Sequence, residues 1–338
     1  MKAIVCQKPD DLQIIETEKP ELRSGEALIT IKRIGICGTD IHAYKGNQPF
    51  FTYPRILGHE LSGVIEEVEE NDRGFHTGDQ VAIIPYMHCE KCIACKTGKT
   101  NCCTELHVIG VHKNGGMCET LAVPVSHLIK TDDISLDEAA MLEPMSIGAH
   151  AVRRSSLKEG DKVLVIGAGP IGLGVMAFAK YRGAHVIAMD INEERLAFCR
   201  SWANVDETVN AKNDPINQLS EITDGDFPSF VFDATGNMQS MNQAFQYAAH
   251  GGTLVFVGLV KGDITFHDPD FHKKELTLMA SRNATKEDFN NVMEAVKAKK
   301  IHLEALITHR CSFNEVTEQF AEWLLPQSNV IKAIIDRE

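Results

Sequence analysis

Positive charge is scarce in this 338-residue chain: 34 lysines and arginines face 47 aspartates and glutamates, for a net charge of −13. Nucleic-acid backbones are bound by neutralising them with Lys and Arg, so this balance argues against a polyanion partner. A small acidic substrate is not excluded, because a local basic pocket can sit inside an acidic protein. Long apolar runs are missing as well. The longest, 163–179, is interrupted by glycines and Pro170, and it falls short of the ~20 residues that a membrane-spanning helix needs. The start, Met1-Lys2-Ala3-Ile4-Val5, has neither the apolar stretch nor the cleavage site of a secretory signal. The expectation is a soluble, cytoplasmic protein with no membrane and no nucleic acid among its partners. Internal repeats and low-complexity linkers are absent too, and the length exceeds the roughly 250–300 residues at which single cores stop growing, so two domains are expected.

Cysteine is plentiful by contrast, with ten residues. A chain this long can build its core without disulfides, and five of the cysteines fall in C-E-K-C-I-A-C-K-T-G-K-T-N-C-C, four of them at metal-ligand spacing. Cys89, Cys92 and Cys95 are three apart and Cys103 lies eight beyond. Four thiolates can close a tetrahedral shell around zinc at ~2.3 Å, leaving no open position, which makes a structural site. This usage reads as metal binding in a reducing compartment. Cys102, beside Cys103, leaves the identity of the fourth ligand open. A nucleic-acid-binding zinc ribbon is disfavoured by the few interleaved lysines and the overall charge.

A second group of metal-ligand types lies between residues 35 and 60, in G-I-C-G-T-D-I-H and, after a loop, P-R-I-L-G-H-E. A thiolate (Cys37), an imidazole (His59) and a carboxylate (Glu60) are donors that zinc takes when its site is catalytic. Thr39 and His42 add a hydroxyl and a second imidazole, the parts of a proton path.

Residues 1–130 read mostly as β-strands with long loops, for example 27–32, 62–68 and 80–84. A helical pattern starts near 137 and resumes over 147–155. From Lys162 onward strands and amphipathic helices alternate, the mark of a parallel sheet wound with helices. Helices are expected at 241–249, 286–298 and 314–323, and a last strand at 331–335. Within the alternating region, V-L-V-I-G-A-G-P-I-G carries an apolar strand into G-x-G-x-x-G and a helix opened by Pro170 and Ile171. Gly167 permits the tight turn, Gly169 lets the backbone approach a pyrophosphate, and Gly172 allows close helix–strand packing. Asp190 ends the next strand at the expected distance, so its carboxylate can take the ribose hydroxyls of NAD and repel the extra phosphate of NADP. Arg195 is a nearby cation that offsets part of that repulsion. Thr235, and Val257 with Gly258, follow later predicted strands, where ligands of open α/β sheets bind.

With these motifs in place, the chain resembles the zinc-containing medium-chain dehydrogenases, in their polyol and threonine dehydrogenase branch, along essentially its whole length. The resemblance implies a two-domain α/β fold. A GroES-like, mostly-β catalytic domain would comprise 1–146 and 285–338, and a Rossmann domain, a doubly wound parallel sheet binding NAD, would comprise 147–284. It also implies two zinc ions per subunit, one catalytic and one structural, and a homodimer or homotetramer. Cys37, His59 and Glu60 are then catalytic-zinc ligands. Where alcohol dehydrogenases of the family supply a later cysteine, this chain has Glu143; which of Glu60 and Glu143 takes the metal stays open. The stretches 46–55, 250–259 and 271–289 narrow the likeness to bacterial hexonate dehydrogenases. These oxidise the C5 hydroxyl of a sugar acid, L-galactonate to D-tagaturonate or L-gulonate to D-fructuronate. Such a substrate needs a cation for its carboxylate, and Arg282 with Asn283 beside it, just beyond a predicted strand, is the expected site. The alternatives are a threonine or sorbitol-type polyol dehydrogenase and, from another class, a protein that binds zinc and NAD without chemistry.

Overall fold

A computed structural model describes residues 1–48 and 51–337; Pro49 and Phe50, part of the 46–55 stretch, lie outside the described residues. The chain forms two units, Met1–Glu143 with Met293–Glu338, and Pro144–Val292.

The first unit is built around the strand Glu26–Gly35. Ala27, Ile29, Ile31 and Ile34 are buried along it, and irregularities after Leu28 and Ile31 reset its register against the antiparallel strand Glu60–Val68. As a result Gly35 stands opposite Glu60. The chain's end returns on the other side as the strand Lys332–Asp336, antiparallel, with Ile334 opposite Gly35. Three segments remote in sequence are therefore neighbours at one place, in the order Glu60–Val68, Glu26–Gly35, Lys332–Asp336. Ile4, Leu57, Leu61, Ile83, Met117 and Phe320 fill the core beneath.

The loop expected after His42 begins later than the sequence pattern suggests, because Gly38–Tyr44 is a helix with Cys37 at its N-cap. Asp40 stabilises that start. Its carboxylate accepts the Cys37 N–H at 2.9 Å and, from the other oxygen, the Gly58 N–H at 3.2 Å. One buried carboxylate thus pins the cysteine turn to the turn that carries His59 and Glu60.

The second unit is a parallel sheet in the order Glu207–Asn210, His185–Asp190, Lys162–Ile166, Phe230–Asp233, Thr253–Phe256, Thr277–Ala280. Chain order reverses on either side of Lys162–Ile166, which creates the crevice at the strands' carboxyl ends where open α/β sheets bind ligands. The helix expected at 241–249 is shorter and earlier. It runs Met238–Gln243, where the Asn237 side chain caps the Ser240 N–H, and tightens into a 3-10 turn over Ala244–Tyr247. The helix Pro215–Ile222 was outside the expectations; its Asp214 cap and Pro215 at the first turn are the signals that mark it.

Within this unit a buried polar knot joins the helix containing His150 and Arg153 to Asp288. His150 Nδ1 lies 2.9 Å from Asp288 Oδ2, Arg153 Nε donates to Oδ1 at 2.6 Å, and the Thr285 N–H donates to Oδ2 at 2.8 Å. Burial opposes ionisation of Asp288, but these donors outweigh it and hold the carboxyl well below the usual carboxylate range. A lowered folded-state pKa stabilises the protein above the unfolded value, near 3.9, and that contribution is lost as pH falls toward the folded value. We expect Asp288→Asn to destabilise folding by about 2–3 kcal/mol at pH 7, the figure for a broken buried pair discounted for the partial exposure of Arg153. The gap to wild type should narrow below about pH 4. Denaturant titrations at pH 7 and pH 3 that give the same gap would contradict this account.

Candidate active site

At the end of the strand Glu26–Gly35, ligand atoms of Cys37, His59 and Glu60 lie within 4.8 Å of one another. Each is set by a different local device: Cys37 by the helix start, His59 by the turn that Asp40 holds, Glu60 by the first position of its strand. His59, Glu60 and Glu143 are all buried. Glu143 sits in the first turn of the helix Leu142–Ser155, and one of its oxygens accepts the hydroxyl of buried Tyr86. Thr39 and His42 ride on the helix that follows Cys37; Thr39 is half-buried and His42 is exposed.

The charges of this pocket do not balance among the described residues. Cys37, Asp40, Glu60 and Glu143 offer four acidic groups, against the Lys332 ammonium and the His59 imidazole. Lys332 is itself buried, and its Nζ lies 2.6 and 2.7 Å from the two Glu60 oxygens and 3.0 Å from the Ile36 carbonyl. Burial pushes the Glu143 carboxyl up to about 7; His59 and the Tyr86 hydroxyl pull it down and Glu60 pushes it further up. Burial also disfavours a charged His59, but Asp40 and Cys37 outweigh it and hold its pKa well above the ordinary value. Two buried polar atoms here have no hydrogen-bond partner among the described residues, Glu143 Oε2 and His59 Nδ1, the latter standing 3.7 Å from Asp40 Oδ1. A buried polar atom left unpaired costs free energy. An excess of soft and hard donors with orphaned atoms is what a divalent cation would relieve, and Cys, His and carboxylate together suit zinc. The residues fit the metal.

The four-cysteine loop is also assembled. The sulfurs of Cys89, Cys92, Cys95 and Cys103 lie within 4.8 Å of one another. Cys103 is buried and its sulfur accepts the N–H groups of Cys89 and Glu105, whereas Cys102 is exposed. Backbone N–H donation, first from Cys95 and then from Thr104, lowers the Cys92 thiol to about 5, so a thiolate is favoured there. The geometry therefore selects Cys103 over Cys102.

In the second unit a groove of 670 Å³ runs along the carboxyl ends of the parallel strands, lined by Gly167, Gly169, Asp190, Arg195, Lys212 and Thr235 among others. Gly167 has φ +97°, open to glycine, and a Cβ on Gly172 would meet the Gly167 carbonyl oxygen at 1.8 Å. Both glycines are thus required by geometry rather than by composition. Pro170 and Ile171 open the helix as its first residues. Asp190 reaches back to the turn, accepting the Ala168 N–H at 2.7 Å, and Arg195 Nη1 donates to the Ala168 carbonyl at 3.4 Å. Val257 and Gly258 both donate their N–H groups to the Asp233 carbonyl, at 2.9 and 3.0 Å. Lys212 is a groove cation that the sequence pattern left unmarked. Arg282 and Asn283 follow the edge strand Thr277–Ala280. Arg282 is exposed, while Asn283 has φ +51° and a buried Nδ2 without a partner.

Asp40, Tyr86 and Lys332 are residues of this candidate site that sequence reading missed. Asp40 carried a signal, its position three residues after Cys37 at a helix start. Tyr86 and Lys332 carried none, since each acts through a partner far away in the chain.

Comparison with known proteins agrees with this geometry. The family described as alcohol dehydrogenase GroES-like domain matches residues 23–133, and that described as zinc-binding dehydrogenase matches 170–298. L-galactonate-5-dehydrogenase of Escherichia coli K12 is 45% identical over 335 residues, covering 99% of this chain and 98% of that protein. The crystal structure of the rspB alcohol dehydrogenase of E. coli CFT073 complexed with NADH superimposes with a TM-score of 0.93 at 33% identity, covering 100% of this chain and 99% of that one. Galactitol-1-phosphate dehydrogenase of E. coli follows the same fold with a TM-score of 0.91 at 28% identity, covering all of both chains.

Metal analysis of two single variants checks the cysteine assignment. Cys103→Ser should lose about one zinc per chain and unfold more readily, as a lost structural metal predicts, while Cys102→Ser should keep the wild-type zinc content and melting temperature. Zinc loss in Cys102→Ser would reverse the choice.

Proposed function

The chain belongs to the zinc-binding alcohol dehydrogenase family, and within it we propose an NAD-dependent dehydrogenase that oxidises the C5 hydroxyl of a hexonate, L-galactonate before L-gulonate. The coarser statement, a zinc-dependent dehydrogenase of a polyol or sugar acid, follows from the relatives. The finer one rests on the 45% identity to L-galactonate-5-dehydrogenase across nearly the whole of both chains. No helix among the described residues is long and apolar enough to cross a membrane; reduced cysteine ligands fit the cytoplasm, and a homodimer or homotetramer is the assembly we expect.

Zinc, when bound, supplies Lewis acidity that lets an alcohol ionise near neutral pH, and NAD supplies the hydride acceptor. Cys37, His59 and a carboxylate hold the metal. Asp40 keeps the two halves of that ligand set in register through its bonds to Cys37 and Gly58. Thr39 relays the proton of the reacting hydroxyl, accepting it as it gives up its own, and exposed His42 on the same helix delivers a proton to solvent. In the second unit the Gly167–Gly172 turn accommodates the pyrophosphate, and the helix Pro170–Tyr181 turns its N-terminal N–H groups and dipole toward it. Asp190 takes the ribose hydroxyls of NAD. Arg282 binds the substrate carboxylate, with the unpartnered Asn283 amide as a second donor.

NAD reduction measured with L-galactonate, L-gulonate, L-threonine and sorbitol in parallel tests the substrate. L-galactonate should give the highest kcat/KM, and Cys37→Ser should lose at least about 10³-fold of it while NAD affinity is kept. Threonine or sorbitol as the best substrate would replace this reading with its nearest rival; no turnover with any, in zinc-loaded protein, would favour the non-catalytic one.

Cofactor choice has its own check. Asp190→Ala should raise the KM for NAD about tenfold, the order of one lost charge-assisted hydrogen bond, and should bring NADP within reach because Arg195 and Lys212 then face the phosphate. An unchanged NAD-to-NADP preference would remove Asp190 from the ribose site.

A further inference from the structure

Three of the residues that line the groove of the second unit, Thr235, Asn237 and Ser240, are tied to one side chain that lies beneath it, Asp233. Asp233 ends the strand Phe230–Asp233 and is fully buried. Its Oδ1 accepts the Thr235 N–H at 2.9 Å and the Thr235 hydroxyl at 2.7 Å, and its Oδ2 accepts the Ser240 hydroxyl at 2.6 Å. The Asn237 N–H donates to Thr235 Oγ1 at 3.0 Å, and the Asn237 side chain accepts the Ser240 N–H at 3.1 Å. These bonds close a ring around the turn. Burial raises the Asp233 carboxyl, and the Ser240 and Thr235 donors oppose it. Those partners are hydroxyls and an N–H, with no cation among them. Burying a carboxylate this way incurs a desolvation cost that no opposite charge offsets, so net stability is a poor reason to place one here.

The turn that Asp233 holds has no slack. A Cβ on Gly167 would lie 3.0 Å from Thr235 Cγ2, and one on Gly258 would lie 2.4 Å from the Gly236 nitrogen. The Thr235–Gly236 turn is thus wedged between the glycine turn after Lys162–Ile166 and the turn after Thr253–Phe256. The backbone carbonyl of the same Asp233 takes the Val257 and Gly258 N–H groups. One residue therefore fixes two adjacent turns, and the glycine turn rests against the first of them. Any shift of Thr235 or Ser240 changes the wall of the groove that Gly167, Gly169 and Asp190 also line.

We propose that Asp233 is a positioning residue for the cofactor: from beneath the groove it holds Thr235 and Ser240 in place against the adenosine and pyrophosphate half of NAD. The assignment rests on the NAD-groove reading above and adds to it a residue that acts on NAD without touching it. Asp233 works through the two hydroxyls, and its negative charge lets two oxygens accept all three donors at once.

ADP-ribose, which lacks the nicotinamide, is the probe beside NAD, and dissociation constants for both are measured by calorimetry on the purified protein. Asp233→Ala should weaken both at least about tenfold, the order of the hydrogen bonds to a charged group that it removes. It should also raise the KM for NAD by more than it lowers kcat at saturating NAD. Asp233→Asn is the conservative control: it keeps an acceptor for Thr235 and offers an amide N–H to Ser240 Oγ, so both affinities should stay within about threefold of wild type. Thr235→Val should lose about as much as Asp233→Ala, and the double variant no more than the larger single loss, because both act through one latch. Thr235→Ser, which keeps the hydroxyl, should bind NAD like wild type. If Asp233→Ala does not fold, Ser240→Ala and Thr235→Val decide by the same non-additivity. Losses that add, a folded Asp233→Ala with wild-type affinity for both ligands, or a loss for NAD that ADP-ribose does not share would overturn the assignment. Wild-type protein that binds neither ligand would instead remove the NAD site from which the assignment starts.

Discussion

The ion pair between Glu60 and Lys332 is the constraint on which the catalytic unit turns. It joins residues 272 apart in the chain, in a site without solvent. A buried pair contributes little to net stability by itself, because desolvation consumes most of the Coulomb attraction, but losing one partner is severe. The effect is to make the chain's last strand obligatory. Residues 293–338 return to the first unit, and the ammonium they bring allows a fourth acidic group to be packed among Cys37, Asp40 and Glu143.

That surplus of negative charge has a chemical use. An excess of acidic groups in a buried pocket favours the uptake of a cation, which neutralises it. Here Asp40 accepts two backbone N–H groups and Glu60 faces an ammonium, while one Glu143 oxygen has no hydrogen-bond partner among the described residues. The parallel sheet of the second unit shows the same logic with opposite sign. Its glycine turn leads into a helix start, a feature that suits phosphate, and Asp190 is the acidic residue among those lining the groove, where we propose that it faces a ribose.

Much of this was legible from local patterns. The glycine turn between an apolar strand and a helix, the four cysteines, and the paired His59-Glu60 each signal their chemistry within a window of a few residues, and the alternation after Lys162 specified the parallel sheet. The weaker readings have a common cause. The helix at Gly38–Tyr44 was not among the expected elements: its seven residues include two that read as site chemistry, and its cap is a cysteine supported by Asp40 rather than a serine or threonine. The helix over 241–249 was displaced because tertiary packing of Ala244, Phe245 and Tyr247 into the core tightens its second half into a 3-10 turn. Lys332 gave no signal at all, because a lysine in a C-terminal strand reads as a solvated residue until the strand's neighbours are known.

The contrast between the two metal-ligand clusters explains why one is readable and the other only half so. A closed shell of four thiolates is complete in itself; its ligands span 15 positions, Cys89 to Cys103, and it needs from the fold only a loop of the right length. A site meant to leave room for a substrate cannot be closed that way. The groups around its donors come from outside the ligand set: Asp40 from the helix that Cys37 caps, and Tyr86 and Lys332 from strands remote in the chain. Sequence proximity therefore identifies candidate ligands, while the partners that hold each of them, Asp40, Tyr86 and Lys332, become visible only once the strands and helices are assembled.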